Sequence, residues 1–156
     1  MTRVVLALGS NLGDRLASLQ SAVDLLAEAP SMSVLAVSAV YETDPVGGPD
    51  QPDYLNAVVA VDTPLAPADV LAVTQGIESA LGRVRDERWG ARVIDIDVVD
   101  YDGVVSDDPA LTLPHPRALE RAFVVVPWSE VDDRRLPAVD ASGVRRRADL
   151  SLRVPA

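Results

Sequence analysis

From residue 3 to residue 99 the hydrophobic period switches repeatedly between that of a strand and that of a helix, and this order constrains the fold more than any other feature. Residues 3–8 (RVVLAL) form a short continuous apolar run ending at Gly9, the pattern of a buried strand. Ser10, Asn11, Gly13 and Asp14 make a turn and a helix start. Leu16, Leu19, Val23 and Leu26 then recur at helical spacing until Pro30 stops them. Residues 32–41 are rich in valine, alternate loosely and predict a second strand. Residues 43–53 (TDPVGGPDQPD) are dense in Pro, Gly and Asp and read as a loop. A third strand is expected over 54–62. Pro67 suits a first helical turn, Val70, Thr74, Ile77 and Leu81 mark a second helix, and Gly82 closes it. Residues 93–99 (VIDIDVV) alternate and predict a fourth strand. Asp102-Gly103 is a hairpin signal before a short strand near 104–105.

The order strand, helix, strand, strand, helix, strand predicts an α+β chain of the ferredoxin-like, split βαβ kind. One antiparallel four-stranded sheet would carry the helices mainly on one face. The other face would be left to loops and a C-terminal extension. At 156 residues, one domain spanning 1–156 is expected.

Composition narrows the chemistry. There is no cysteine, which excludes disulfides, thiolate metal sites and cysteine nucleophiles. All 14 basic residues are arginine, so a lysine Schiff base and a P-loop lysine are excluded too. The single histidine, His115, rules out a multi-histidine metal site, and any metal must be held mainly by oxygen. A net charge of −10 makes nucleic acid and anionic membranes poor partners. The N-terminus reads as a strand rather than a leader, and the apolar runs fall far short of the ~20 residues of a membrane span. The expectation is a cytoplasmic monomer that acts on small molecules.

Three constellations carry the chemistry. Asp95 and Asp97 are i and i+2 on one strand and point from the same face, with Cα atoms roughly 6.6–7 Å apart. Two carboxylates so placed can straddle a pair of divalent cations. Arg83, Arg85, Arg88 and Arg92 crowd the preceding segment, GRVRDERWG-Ala91-Arg92, of an acidic chain. Arginine's planar donors match phosphate oxygens, so carboxylates beside arginines compose a metal–polyphosphate site. Tyr54 and Asn56 share a strand face, where a ring can stack a flat ligand and an amide can read its edge. Gln75 and Glu78 share a helix face at i, i+3, and His115 stands between Pro114 and Pro116.

With these residues assembled, the chain resembles the 6-hydroxymethyl-7,8-dihydropterin pyrophosphokinases of folate biosynthesis, from the first strand to about Val131. The most specific stretch is R-W-G-A-R-V-I-D-I-D-V-V, residues 88–99. Y-E-T-D-P-V-G-G-P-D-Q-P-D-Y-L-N (41–56), L-P-H-P-R-A-L-E-R-A-F (113–123) and G-S-N-L-G-D-R near the start are similar as well. The resemblance implies transfer of the β,γ-diphosphate of ATP to a pterin hydroxymethyl group, with release of AMP and with two magnesium ions. By position it implies Asp95 and Asp97 as magnesium ligands and Arg83 and Arg92 as phosphate-stabilising arginines. It implies Tyr54 and Phe123 as rings that sandwich the pterin, with Asn56 and the backbone of Thr43, Asp44 and Val46 reading its edge. Gln75, Glu78, Arg85, Trp89, Arg92, His115 and Arg121 resemble residues lining the nucleotide side. Trp128 stands where leucine is usual and Asp100 where an apolar residue is common, and residues 132–156 have no strong match. Two other readings of the same residues are a non-catalytic ferredoxin-like module that binds a small ligand, and another magnesium-dependent phosphoryl or nucleotidyl transferase.

Overall fold

The structure, a computed structural model, describes residues 1–44, 52–82, 93–132 and 136–155. Strand β1 (Thr2–Ser10) runs through the middle of the sheet, with β5 (Asp95–Tyr101) on one side and β4 (Tyr54–Thr63) on the other. Both neighbours are antiparallel to it. The far edge of β4 pairs with β2 (Ser33–Val37) along one half and β3 (Tyr41–Thr43) along the other. A last strand, β8 (Val144–Arg146), lies on the free edge of β3.

Among the described residues the sheet therefore has six strands rather than the expected four. The valine-rich run 32–41 is not one strand, because it breaks at Ser38. That residue bridges the gap: its amide donates to Val58 O and its hydroxyl accepts from Val58 N, each at 2.9 Å. The C-terminal extension supplies the other added strand, as a cover over one sheet edge.

One face of the sheet carries α1 (Arg15–Glu28) and α2 (Pro67–Ala80). Asp14 caps α1 by accepting from Ala17 N, and Pro67 starts α2 where a missing N–H costs nothing. Val4, Leu6 and Leu8 of β1 pack there with Leu19, Val23 and Leu26 of α1, Val70 and Ile77 of α2, and Ile96 and Val98 of β5. The opposite face was expected to hold only loops and the C-terminal extension, yet it carries a third helix, α3 (Ala122–Val131). Val124, Trp128 and Val131 bury against Val5, Val58, Ala60 and Val99. The run A-F-V-V-V-P-W hides this helix, since β-branched residues and an internal Pro127 both argue against one. Packing overrides propensity here, because the helix is apolar nearly all round.

The turn at Asp102-Gly103 forms, with Gly103 at φ 78° and Val104 N donating to Tyr101 O at 2.9 Å. The strand after it is β6 (Ser106–Asp108), and it pairs forward with β7 (Leu111–Leu113) rather than back onto β5. In β5 a bulge opposite Val5 and Leu6 lets Val99 and Asp100 both lie toward the α3 face and returns Tyr101 to the helix-pair face. No helix among the described residues is long and apolar enough to cross a membrane.

Trp128 is fully buried, and its indole N–H donates to Asp132 at 3.3 Å. Truncating it removes the largest side chain holding α3 to the sheet. Trp128→Ala is expected to lower stability by about 3–5 kcal/mol in urea denaturation. Val105→Ser, at an exposed position, should stay within about 0.5 kcal/mol. A Trp128→Ala cost as small as that of Val105→Ser would contradict this placement of α3.

Candidate functional site

The α3 face of the sheet holds a row of residues in register across four strands. Asp95 of β5 pairs with Gly9 of β1, Gly9 with Asn56 of β4, and Asn56 with Tyr41 of β3. Parallel to it, Asp97 pairs with Ala7 and Ala7 with Val58. The middle of this floor is therefore built of small side chains, with carboxylates on one flank and amide, hydroxyl and phenol groups on the other.

Asp95 and Asp97 stand on the same face as the alternation requires, and Ile96 between them is buried among the α1 and α2 side chains. Asp97 is exposed and Asp95 half-buried. The strand that carries them is anchored at its outer edge, where Glu78 of α2 accepts from Ile96 N at 2.9 Å. Gln75 and Glu78 thus differ in role: Glu78 turns inward and is buried, whereas Gln75 is exposed on α2, on the opposite side of the sheet.

On the other flank, Asn56 and Thr43 are both buried, and Asn56 Nδ2 donates to Thr43 Oγ1 at 2.8 Å. That bond fixes the amide: its Oδ1 and the Tyr54 ring both lean over Gly9. A Cβ added at Gly9 would stand 3.4 Å from each, in contact with the two side chains. Thr43 pairs with Tyr54 at the end of the β3–β4 ladder, and Asp44 follows, exposed. Tyr41 donates from its hydroxyl to Glu130 of α3, and burial together with that carboxylate pushes its pKa up to about 12. The other Glu130 oxygen accepts from Ala39 N at 2.7 Å, so one carboxylate ties α3 to the strand break.

Phe123 sits half-buried in the first turn of α3, on the same face, with the Arg121 guanidinium 5.6 Å from its ring centroid. His115 follows the cis Leu113–Pro114 bond, and its amide donates to Val99 O at 2.7 Å, tethering the segment to β5. Its Nδ1 accepts from Arg117 N at 3.3 Å, which leaves Nε2 to carry the proton of the neutral ring. Burial lowers the His115 pKa; the Asp97 charge raises it, and Arg121 and Arg117 lower it. Asp97, His115 and Arg121 are therefore electrostatic neighbours. Val46, Arg83, Arg85, Trp89 and Arg92 lie outside the described residues.

Sequence reasoning singled out Asp95, Asp97, Tyr54, Asn56 and Thr43, and the structure brings them to one face. It missed Gly9 as the floor, Glu130 as the tie to α3, and Glu78 as the anchor of β5. For Gly9 the signal was present, since a glycine ending a buried central strand marks a close approach. For Glu130 no local pattern exists, because its partners are distant in sequence.

The family described as 7,8-dihydro-6-hydroxymethylpterin-pyrophosphokinase (HPPK) matches residues 5–133. A Methylorubrum extorquens protein named 2-amino-4-hydroxy-6-hydroxymethyldihydropteridine pyrophosphokinase is 49% identical, over 94% of this chain and 99% of its own length. The Bacillus subtilis protein of the same name is 45% identical over 81% of this chain and 75% of its own length. Among solved structures, a substrate complex of an HPPK-DHPS protein superposes with a TM-score of 0.64 at 12% identity, covering 84% of this chain and 42% of the other. A Plasmodium falciparum HPPK-DHPS triple mutant with SDX-DHP gives 0.60 at 16% identity, covering 80% and 40%. The chain spans about two fifths of these larger proteins, and at such identity they bear on the fold alone.

The single histidine makes its titration directly readable. Burial keeps the folded pKa below the ordinary 6.5, so in the window beneath 6.5 the unfolded chain binds more protons. The stability that His115 contributes is present above 6.5 and is lost as pH falls through the folded value. By NMR, the ring proton midpoint is expected below 6.5 and is expected to fall further in Asp97→Asn, which removes the charge favouring imidazolium. A midpoint at or above 6.5 would contradict the burial described.

Proposed function

The chain belongs to the 7,8-dihydro-6-hydroxymethylpterin-pyrophosphokinase family, and on that premise we propose how its own residues perform the family's reaction. The β,γ-diphosphate of ATP moves to the hydroxymethyl group of 6-hydroxymethyl-7,8-dihydropterin, and AMP is released. The pterin hydroxyl oxygen forms a bond to the β-phosphorus. The bridging bond from that phosphorus to the α-phosphate oxygen breaks, the electron pair leaves with AMP, and the hydroxyl proton passes to water.

The observation that carries the assignment of roles is the in-register row Asp95, Gly9, Asn56, Tyr41. It supports a flat-ligand slot over Gly9, walled by Tyr54 and Asn56, on the same floor as the carboxylate pair, with Asn56 about 10 Å from Asp95 across two strand gaps. The Tyr54 ring over Gly9 forms one wall of a pterin slot, and Phe123, on the same face, is the second ring. With one Asn56 Nδ2 N–H given to Thr43, Oδ1 is the amide atom presented over Gly9, and it would accept from a ring N–H of the pterin. The Thr43 hydroxyl, accepting from Asn56, keeps its own proton to donate. The backbone of Asp44 and Val46 completes the edge recognition.

At the other flank, Asp95 and Asp97 would hold magnesium. Two carboxylates, with no third His, Cys, Asp or Glu grouped with them among the described residues, form an oxygen-only donor set that would suit magnesium, which is usually bound through one or two carboxylates plus substrate phosphates. Magnesium there would supply charge neutralisation on the phosphate oxygens. His115, neutral with its proton on Nε2, donates toward a phosphate without adding a charge, and Arg121 adds one. Arg83 and Arg92 offset charge on the transferring and leaving oxygens. Arg85 and Trp89 complete the nucleotide side; Glu78 holds β5 in place from the α2 layer, and Gln75, exposed on α2 across the sheet, stands apart from this floor. No side chain need act as a general base if positioning carries the rate. The strand order, with β2 and β3 end to end along β4, supports a split βαβ core extended by β8.

Incubation with ATP and hydroxymethyldihydropterin is expected to yield AMP and a pterin diphosphate; ADP as the product would overturn the reading. Asp95→Asn and Asp97→Asn should each lower kcat by about 10²–10³ with the fold retained. Tyr54→Ala and Phe123→Ala should weaken pterin binding by about tenfold each and leave ATP binding alone. Calorimetry showing wild-type pterin affinity in both ring variants would refute the slot.

A further inference from the structure

The Thr43–Tyr54 pair closes the β3–β4 ladder, and Asp44 and Asp53 are the residues just beyond it, one on each strand. Two like charges at a ladder end repel and splay the strands. Here a single guanidinium joins them. Arg145 lies on β8 opposite Glu42, and its Nη2 is 3.3 Å from Asp44 Oδ1 and 3.2 Å from Asp53 Oδ2. The same nitrogen is 3.8 Å from Glu42.

Glu42 is itself held by Arg15 at 2.8 Å and by Arg147 at 3.2 Å. Arg15 also donates to Asp53 O at 2.9 Å, and the buried Asn11 donates to Pro52 O at 3.0 Å. The backbone entering β4 is thus fixed by Asn11 and Arg15, and the backbone leaving β3 by Arg15 and Arg147 through Glu42. Only Arg145 links the two aspartates to each other among these contacts. It comes from the C-terminal strand, outside the residues 5–133 that match the family.

We propose that Arg145 is a positioning residue for the pterin: by bridging Asp44 and Asp53 it keeps Thr43 and Tyr54 in register, and so keeps the Asn56–Thr43 pair and the Tyr54 ring aimed over Gly9. It does not touch the pterin, and the proposal rests on the reading of Thr43, Tyr54 and Asn56 as pterin-side residues. The bridge is partly exposed, so its effect is modest and weakens with salt.

The test is steady-state kinetics of the full chain, with KM for hydroxymethyldihydropterin and for ATP measured separately. Arg145→Ala is expected to raise the pterin KM about 3- to 10-fold, the size that a small network of partly exposed ion pairs can reach. The ATP KM and kcat should move by less than about twofold, and Arg145→Lys should recover most of the loss by restoring the charge. In an Asp53→Asn background, where the repulsion is gone, the Arg145→Ala penalty should shrink. Asn56→Ala separates the two claims. If it raises the pterin KM and Arg145→Ala does not, the bridge is refuted while the pterin reading stands. If neither does, the pterin reading fails and takes the proposal with it. If Arg145→Ala lowers the melting temperature and shifts both KM values together, its role is structural and the proposal is overturned.

Discussion

The hydrogen-bonded register of β1 against β4 and β5 is the constraint on which the site depends. It sets Asp95, Gly9 and Asn56 in one row and Asp97, Ala7 and Val58 in the next. A slip of one residue would turn every side chain of β1 to the other face. The slip is prevented by Val4, Leu6 and Leu8, which must stay against α1 and α2. The hydrophobic face therefore fixes the chemistry of the opposite one. Once Leu8 is inward, position 9 must be outward, and the glycine there leaves room between the carboxylates and the amide.

The edges of this arrangement are held by polar contacts of a different kind. Glu78 ties α2 to the backbone between Asp95 and Asp97. Glu130 ties α3 to Tyr41 and Ala39, and so sets where Phe123 stands relative to β3. A carboxylate that accepts backbone or phenol donors, buried at Glu78 and exposed at Glu130, orients what it binds. Each of these ties joins a helix on one layer to the strand that carries a site residue.

The alternation of periods made the strand and helix order from β1 to β5 legible in the sequence, and the D-x-D pair could be placed on one face from the two-residue repeat alone. Three things were not legible. The break at Ser38 was hidden because both halves of 32–41 pair with the same strand, so the apolar pattern runs on through it. Helix α3 was hidden because its valines and Pro127 speak against a helix locally, while its stability comes from Trp128 packing on the far face. The roles of Glu130 and Arg145 depend on partners about ninety or more residues away, and no local pattern encodes such a contact. Arg145, Arg146 and Arg147 lie in the segment 132–156 that has no strong match, and nothing in that run points to Asp44 and Asp53.

The central claim is that one sheet face sets the metal–phosphate flank and the pterin flank at opposite ends of a single row. Manganese bound with ATP in place of magnesium measures it directly, through paramagnetic relaxation of the protein's amide protons and of bound pterin. The account predicts a graded effect along the row: strongest at Asp95 and Asp97, strong at Gly9 about 5 Å away, weaker at Asn56 about 10 Å away, and weakest at Tyr41. Pterin protons should fall between Gly9 and Tyr41. Relaxation centred elsewhere, or uniform across Gly9, Asn56 and Tyr41, would contradict the account.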